Sequence, residues 1–297
     1  MLKNKKILIF GVSGRVGKDL AIILLKENEV HGVARFTQKE LRQELETLGV
    51  KTIPMDVAED DLKKLPTNFD YIFNEIAFMH GAEEDPGRAY KTNAYFVARL
   101  MERFKKAQGI IHASTGNVYG LPGKVVTEES PEAPVGTYGL SRFVGEQMVK
   151  YFSVKYKTPA VILRYFYGND ERYGVIYKLG NLLLEGKEIP AYFGSQINCI
   201  AHSDLVEFTA RAAIHCSIPP ITMNITSTHP FEVKDLVIGL AKVLEVENVK
   251  FQESEERERM TLAAYTPIQT KLLGQPKVCI NEMIQNIAKA VLKQKQS

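Results

Sequence analysis

The stretch Ile7-Leu-Ile-Phe-Gly11-Val-Ser-Gly14-Arg-Val-Gly17 decides how the rest of the chain is read. Four apolar residues run into three glycines, and an amphipathic segment, Val16–Lys26, follows. Glycine at 11 permits a tight turn out of a strand, and glycine at 14 lets backbone approach a pyrophosphate. Glycine at 17 lets the helix pack closely on the strand. The helix start then turns amide N–H groups and the positive end of its dipole toward phosphate. Gly11, Ser13, Gly14, Arg15, Val16 and Gly17 are therefore the first candidate residues for holding a dinucleotide.

Outward from this loop the chain alternates. Strands are expected at Lys6–Phe10, Val30–Ala34, Lys51–Pro54, Tyr71–Asn74, Ile110–Ala113 and Ala160–Arg164. Helices are expected at Val16–Lys26, Gln38–Leu48, Arg88–Lys106 and Tyr138–Tyr156. Such alternation builds right-handed βαβ units, so the fold class expected is α/β, a doubly wound parallel Rossmann sheet. After Arg164 the rhythm changes: a Tyr- and Gly-rich stretch, Pro219–Pro220, a short run Thr222–Ile225 and an amphipathic helix Asn281–Lys293. The organisation expected is a dinucleotide-binding domain over 1–164 with a return segment near 197–218. Residues 165–196 and 219–297 would form a smaller, irregular substrate lobe.

Composition narrows the function classes. Lys and Arg number 38 against 35 Asp and Glu, a net charge of +3 that gives no argument for nucleic acid. The densest charged run, Glu253 to Arg259, mixes signs and reads as a solvated face. The apolar run after Lys3, Lys5 and Lys6 is short, a first strand rather than a leader, and no stretch is long enough to span a membrane. Cys199, Cys216 and Cys279 lack zinc or CxxC spacing, which suits a reducing, cytoplasmic setting. His80, His112 and His202 lack ligand spacing, so no metal is expected. No Gly-x-Ser-x-Gly nucleophile elbow is present either.

The spacing Gly-x-x-Gly-x-x-Gly at 11–17 resembles that of the extended short-chain dehydrogenase/reductase family, the NAD-dependent epimerases and dehydratases. Ile110-Ile-His-Ala-Ser114-Thr115-Gly-Asn-Val118-Tyr119-Gly120 resembles the family's fifth-strand motif, and Tyr138-Gly-Leu-Ser-Arg142 stands at its Tyr-x-x-x-Lys. The resemblance implies that Tyr138 is the general acid/base and that Thr115 and Asn117 meet the substrate, with a cation at 142 favouring the tyrosinate. Residues four apart on a helix share a face, so Tyr138 and residue 142 can act together. Arg142 is a departure: it keeps the charge, but is longer, planar and always protonated.

Coenzyme choice rests on the end of the second strand. An acid there would bind the ribose 2′-hydroxyl, but the chain reads His31-Gly-Val-Ala-Arg35. Arg35 can pair with a 2′-phosphate, and the segment resembles that of GDP-mannose dehydratases, so NADP is expected, with NAD as the alternative. By the same resemblance Asp56 and Val57 lie at the adenine, Ala77 lies beside the cofactor, and Tyr138 and Arg142 reach it. Glu75 departs from the family's small residues at the fourth strand and is expected to point elsewhere.

The substrate half matches more thinly. Arg164-Tyr-Phe-Tyr167-Gly168 lacks the family's asparagine, and Ile197 and Asn198 stand where a phosphate-binding arginine is usual. The expected substrate is a nucleotide sugar or similar polyhydroxylated metabolite between the lobes; a smaller carbonyl or hydroxyl compound stays open. The reaction expected is hydride transfer in an oxidoreductase, epimerase or dehydratase. The alternative is a cofactor-bound regulatory or scaffold protein disabled by Arg142. The helices at Arg88–Lys106 and Tyr138–Tyr156 correspond to those that pair across family dimers, so a homodimer is expected.

Overall fold

The computed structural model describes residues 1–255 and 260–296. In chain order the first half contains β1 (Lys6–Phe10), α1 (Arg15–Leu25), β2 (Glu29–Ala34), α2 (Lys39–Thr47), β3 (Lys51–Pro54), β4 (Tyr71–Asn74), α3 (Pro86–Tyr90), α4 (Phe96–Arg103) and β5 (Gly109–Thr115). Then come β6 (Lys124–Val126), α5 (Gly136–Tyr156), β7 (Ala160–Tyr165), β8 (Tyr167–Asn169), α6 (Val175–Leu184), β9 (Gln196–Ile197), β10 (Cys199–Ala201) and α7 (His202–Ala212). The remainder holds β11 (Ile221–Ile225), β12 (Phe231–Glu232), α8 (Val233–Val243), β13 (Leu262–Ala264), α9 (Pro267–Leu273) and α10 (Ile280–Gln296). Part of the charged run Glu253–Arg259, residues 256–259, lies outside the described residues.

Two compact units are assembled from interleaved segments. The first comprises Met1–Val118, Pro134–Arg164 and Val206–Met223. The second comprises Tyr119–Ala133, Tyr165–Leu205 and the described residues from Asn224 onward. The first is the doubly wound α/β fold expected: a seven-stranded sheet in the order β11-β7-β5-β4-β1-β2-β3. The pairings β2–β3, β1–β2, β1–β4 and β4–β5 are all parallel. In β1, Ile7, Leu8, Ile9 and Phe10 are each 0% exposed, the continuous apolar run of a strand covered on both faces. Phe96, Val97, Leu100 and Met101 of α4 pack with Leu8, Phe10, Ile72 and Ile110 on one of those faces.

The strand order reverses between β1 and β4, and ligands of open α/β sheets bind beyond the carboxyl ends at that point. Phe10 pairs with Asn74 there, so Gly11 and Glu75 are the next residues of adjacent strands.

The long helix expected over Arg88–Lys106 is interrupted. Lys91–Tyr95 winds as one π-helical turn between α3 and α4. Its extra residue lets the fully buried Asn93 face the backbone of Phe78, donating to its carbonyl at 2.9 Å and accepting from its N–H at 2.8 Å. Such turns recur at functional sites.

In the second unit, α6, α8 and α10 bury Ile176, Leu179, Val237, Leu240, Ile287 and Val291 together. A two-stranded β10-β8 pair and a four-stranded sheet, β12-β9-β13-β6, accompany them.

Candidate active site

The glycine loop forms a closed turn. Gly11 has φ +84°, the left-handed region that favours glycine. The Gly11 N–H donates to the carbonyl of Val33 at 2.8 Å, and the Gly14 N–H to the carbonyl of Gly11 at 2.9 Å. A methyl at Gly17 would lie 2.2 Å from the Gly11 carbonyl oxygen, so only glycine lets α1 approach this closely. Gly14 and Arg15 are exposed, Ser13 and Val16 half-buried, and Gly17 buried. No side chain caps α1 and no acid occupies its first turn. Its leading amides and dipole thus fit a pyrophosphate, which is where a dinucleotide would be held. A methyl at Gly11 would stand 3.0 Å from the Glu75 carbonyl carbon, so the two strand ends touch at the switch point.

The region expected to meet adenine carries a charge pair that no local sequence pattern shows. Arg35 is exposed directly beyond β2, after the buried Ala34. Asp56 accepts from the Ala58 N–H at 3.0 Å and from Arg88 Nη2 at 2.6 Å. Burial alone would raise the Asp56 carboxyl, but the Arg88 and Ala58 hydrogen bonds outweigh it. With the fields of Arg88 and Arg35 they hold it below the usual range. Val57 is buried and its carbonyl accepts from Arg99 Nη1 at 3.2 Å, while Ala77 is exposed.

At the end of β5, Thr115 is 8% exposed and its Oγ1 accepts the Asn117 N–H at 3.2 Å, leaving the hydroxyl proton free to donate. Asn117 is exposed. Tyr138 sits half-buried in the first turn of α5. A methyl on the adjacent Gly139 would stand 3.0 Å from the Asn117 carbonyl oxygen. The Thr115 turn and the Tyr138 turn are therefore in direct contact.

Arg142 is 1% exposed and turned inward. Its Nη1 donates to the Ile76 carbonyl at 2.7 Å and its Nη2 to the Ala113 carbonyl. One guanidinium thus ties α5 to the ends of β4 and β5. Behind it, His112 is buried and takes the Asn74 side-chain amide at 3.0 Å on Nδ1. Burial, then the Arg142 charge, pushes the His112 imidazole well below its ordinary value, so it is neutral.

Three residues that sequence reasoning passed over, Glu146, Asn93 and Glu83, complete the frame. Glu146, fully buried, accepts from Arg164 Nε at 3.0 Å and Nη2 at 2.7 Å, and from Ser114 Oγ at 2.6 Å. Glu146 stands one turn after Arg142, a spacing visible in the sequence. Asn93 donates to Ser141 Oγ, which donates in turn to the Tyr138 carbonyl. No local pattern marks Asn93 or Glu83, because their partners lie far along the chain. Among the described residues no group of three or more His, Cys, Asp or Glu side chains could hold a metal ion.

The model of the NAD dependent epimerase/dehydratase family matches residues 7–220. The chain belongs to that family. Among its relatives is a protein of Bacillus subtilis described as the uncharacterized UDP-glucose epimerase YtcB, 28% identical over 185 residues. That match covers 56% of this chain and 58% of the relative, so the chain spans little more than half the length of this curated epimerase. Two solved epimerases share the fold. One is the UDP-glucuronic acid 4-epimerase of Bacillus cereus in complex with UDP-glucuronic acid and NAD (TM-score 0.81, 23% identity, 97% of this chain and 99% of that one). The other is the UDP-N-acetylglucosamine 4-epimerase of Methanobrevibacter ruminantium in complex with UDP-N-acetylmuramic acid (TM-score 0.82, 21% identity, 99% and 100%).

Proposed function

We propose that this chain is a nucleotide-sugar epimerase or dehydratase that works by hydride transfer with a tyrosine acid/base. The observation that supports the reading is the close approach of Gly139 to the Asn117 carbonyl, which brings the turn that carries Tyr138 against the turn that follows Thr115. Gly11, Ser13, Gly14, Arg15, Val16 and Gly17 hold the pyrophosphate, Asp56 and Val57 the adenine, and Ala77 the dinucleotide beyond the switch point. When bound, the nicotinamide supplies the hydride acceptor and, in the return step, the donor. Thr115 donates a hydrogen bond to the reacting sugar oxygen, and Asn117 lies at the same edge. Tyr138 takes the hydroxyl proton as the C–H hydride departs, and gives it back when the hydride returns. The fixed charge of Arg142 lowers the cost of the tyrosinate.

The coenzyme proposed is NADP. The named B. cereus complex contains NAD, but here Arg35, not an acid, follows β2, and its guanidinium suits a 2′-phosphate. The second unit is proposed to take the sugar nucleotide, with a uridine diphosphate sugar the first to try. No helix among the described residues is long and apolar enough to cross a membrane. All three cysteines are free, which supports a cytoplasmic setting. A homodimer through the Arg88–Lys106 segment and α5 is proposed on the exposed Tyr95, Tyr151 and Val154.

The test is a titration with NADPH and NADH followed by nicotinamide fluorescence, alongside Arg35→Ala. Tighter NADPH binding that weakens at least about tenfold in the variant supports the assignment. Equal binding of both coenzymes, unchanged in the variant, makes Arg35 a bystander. The loaded protein is then incubated with uridine diphosphate sugars, and new epimers or keto sugars are sought by chromatography. Binding without any turnover would leave the scaffold role.

A further inference from the structure

The helix that carries Tyr138 has no cap of its own. α5 follows Val135, no side chain of its own caps it, and no acid occupies its first turn. The missing partner comes from the loop after β4. Glu83 accepts the Thr137 N–H at 2.7 Å and the Thr137 hydroxyl at 2.8 Å, and lies 3.4 Å from the Tyr138 N–H. These are leading amides that an α-helix leaves unsatisfied, and a carboxylate there also meets the positive end of the dipole.

Gly136 is shaped to the same end. Its φ of +74° disfavours any side chain, and a methyl there would lie 2.8 Å from Glu83 Oε1. The carboxylate therefore approaches through a space that only glycine leaves open. Thr137 hydrogen bonding holds the Glu83 carboxyl below the usual range, so it stays ionised near neutrality. The same loop meets α5 at two further points, through the Ile76 carbonyl on Arg142 and through Phe78 and Asn93 on Ser141.

We propose that Glu83 is a positioning residue for catalysis: its carboxylate clamps the first turn of α5 and fixes Tyr138 at the angle proton transfer requires. The proposal rests on the assignment of Tyr138 as acid/base. Glu83 touches backbone and the Thr137 hydroxyl, so its effect runs through the orientation of the tyrosine rather than through affinity. Misplacement of a reacting group by about 1 Å can cost about 100-fold in rate.

The experiment compares wild type, Glu83→Ala and Glu83→Gln in the full chain, by steady-state kinetics, dinucleotide titration and amide hydrogen exchange. Glu83→Ala is expected to lower kcat about 10- to 100-fold while KM and dinucleotide affinity stay within about twofold. Exchange at Thr137 and Tyr138 should accelerate about tenfold, with the rest of α5 unchanged. Glu83→Gln keeps one acceptor and is expected to recover part of both, and it is read by the same criteria if the alanine variant does not fold. Wild-type kcat in Glu83→Ala, or a lowered kcat with unaltered exchange at 137 and 138, overturns the proposal. A wild-type chain that binds dinucleotide but turns over no nucleotide sugar overturns the functional assignment instead, and does so before any variant is compared. Exchange then decides the clamp alone.

Discussion

Arg142 Nη1 donates to the Ile76 carbonyl oxygen at 2.7 Å, joining α5 to the loop that leaves the fourth strand. Under the proposed mechanism, this bond is how arginine would stand in for the family's lysine. A planar fork reaches two carbonyls at once, at Ile76 and Ala113, and holds a permanent charge on the helix face that Tyr138 shares.

Lysine at this position is shorter and lacks the two separate nitrogens with which arginine reaches the two acceptors. Arg142→Lys is expected to cost about 1–3 kcal/mol for the buried carbonyl it strands. It should also lower turnover rather than raise it. Thermal melts and steady-state rates check both, and a gain in turnover would show that arginine had disabled the site.

The Glu146–Arg164 pair is bidentate and both side chains are at most 1% exposed. Glu146→Gln leaves Arg164 as a buried charge with a weaker partner, a loss of about 3–5 kcal/mol. Ser114, whose hydroxyl also binds Glu146, precedes Thr115, so the same variant is expected to slow turnover. Denaturant unfolding measures the first effect, and a variant as stable as wild type would make the pair a spectator.

Much of this frame is legible in the sequence. The strands Lys6–Phe10 and Tyr71–Asn74 follow from their apolar runs, Lys51–Pro54 from its place in the alternation, and the Gly11–Gly17 turn from glycine spacing and strand context. Local signals succeed where the cause is local. They fail at Lys91–Tyr95, where amphipathic periodicity continues through a turn whose widening serves Phe78, fifteen residues away from Asn93. They fail equally at Asp56, whose Arg88 partner is brought close only by folding.

His112 gives stability a definite pH dependence. Its folded imidazole titrates well below the ordinary 6.5, so the unfolded chain binds the extra proton first as pH falls. Its contribution is complete above 6.5 and is lost below it, by up to about 1.4 kcal/mol per pH unit. The partly buried His31 is also lowered, chiefly by burial, and adds to the wild-type slope. Unfolding free energies between pH 7 and 5 should therefore fall less steeply in His112→Gln, which keeps an acceptor for Asn74. Parallel slopes would show that His112 is protonated in the fold.

Thiol chemistry separates the cysteines. Burial pushes Cys199 and Cys216 up to about 12, whereas Cys279 is exposed. An aromatic disulfide reagent at pH 8 is expected to modify Cys279 rapidly, the half-buried Cys216 slowly and Cys199 only on unfolding. Fast release of more than one equivalent would contradict the packing around β10 or beneath Gly109.

The interleaving of the two units has a consequence for synthesis. The first unit draws its last segment from Val206–Met223, and its sheet ends on β11. A nascent chain cannot complete its nucleotide-binding half until residue 223 of 297 has left the ribosome. By then Tyr119–Ala133 and Tyr165–Leu205 of the other half have already emerged. The edge of β7 waits unpaired through that interval, so chaperone dependence during translation should track the delay before β11 arrives.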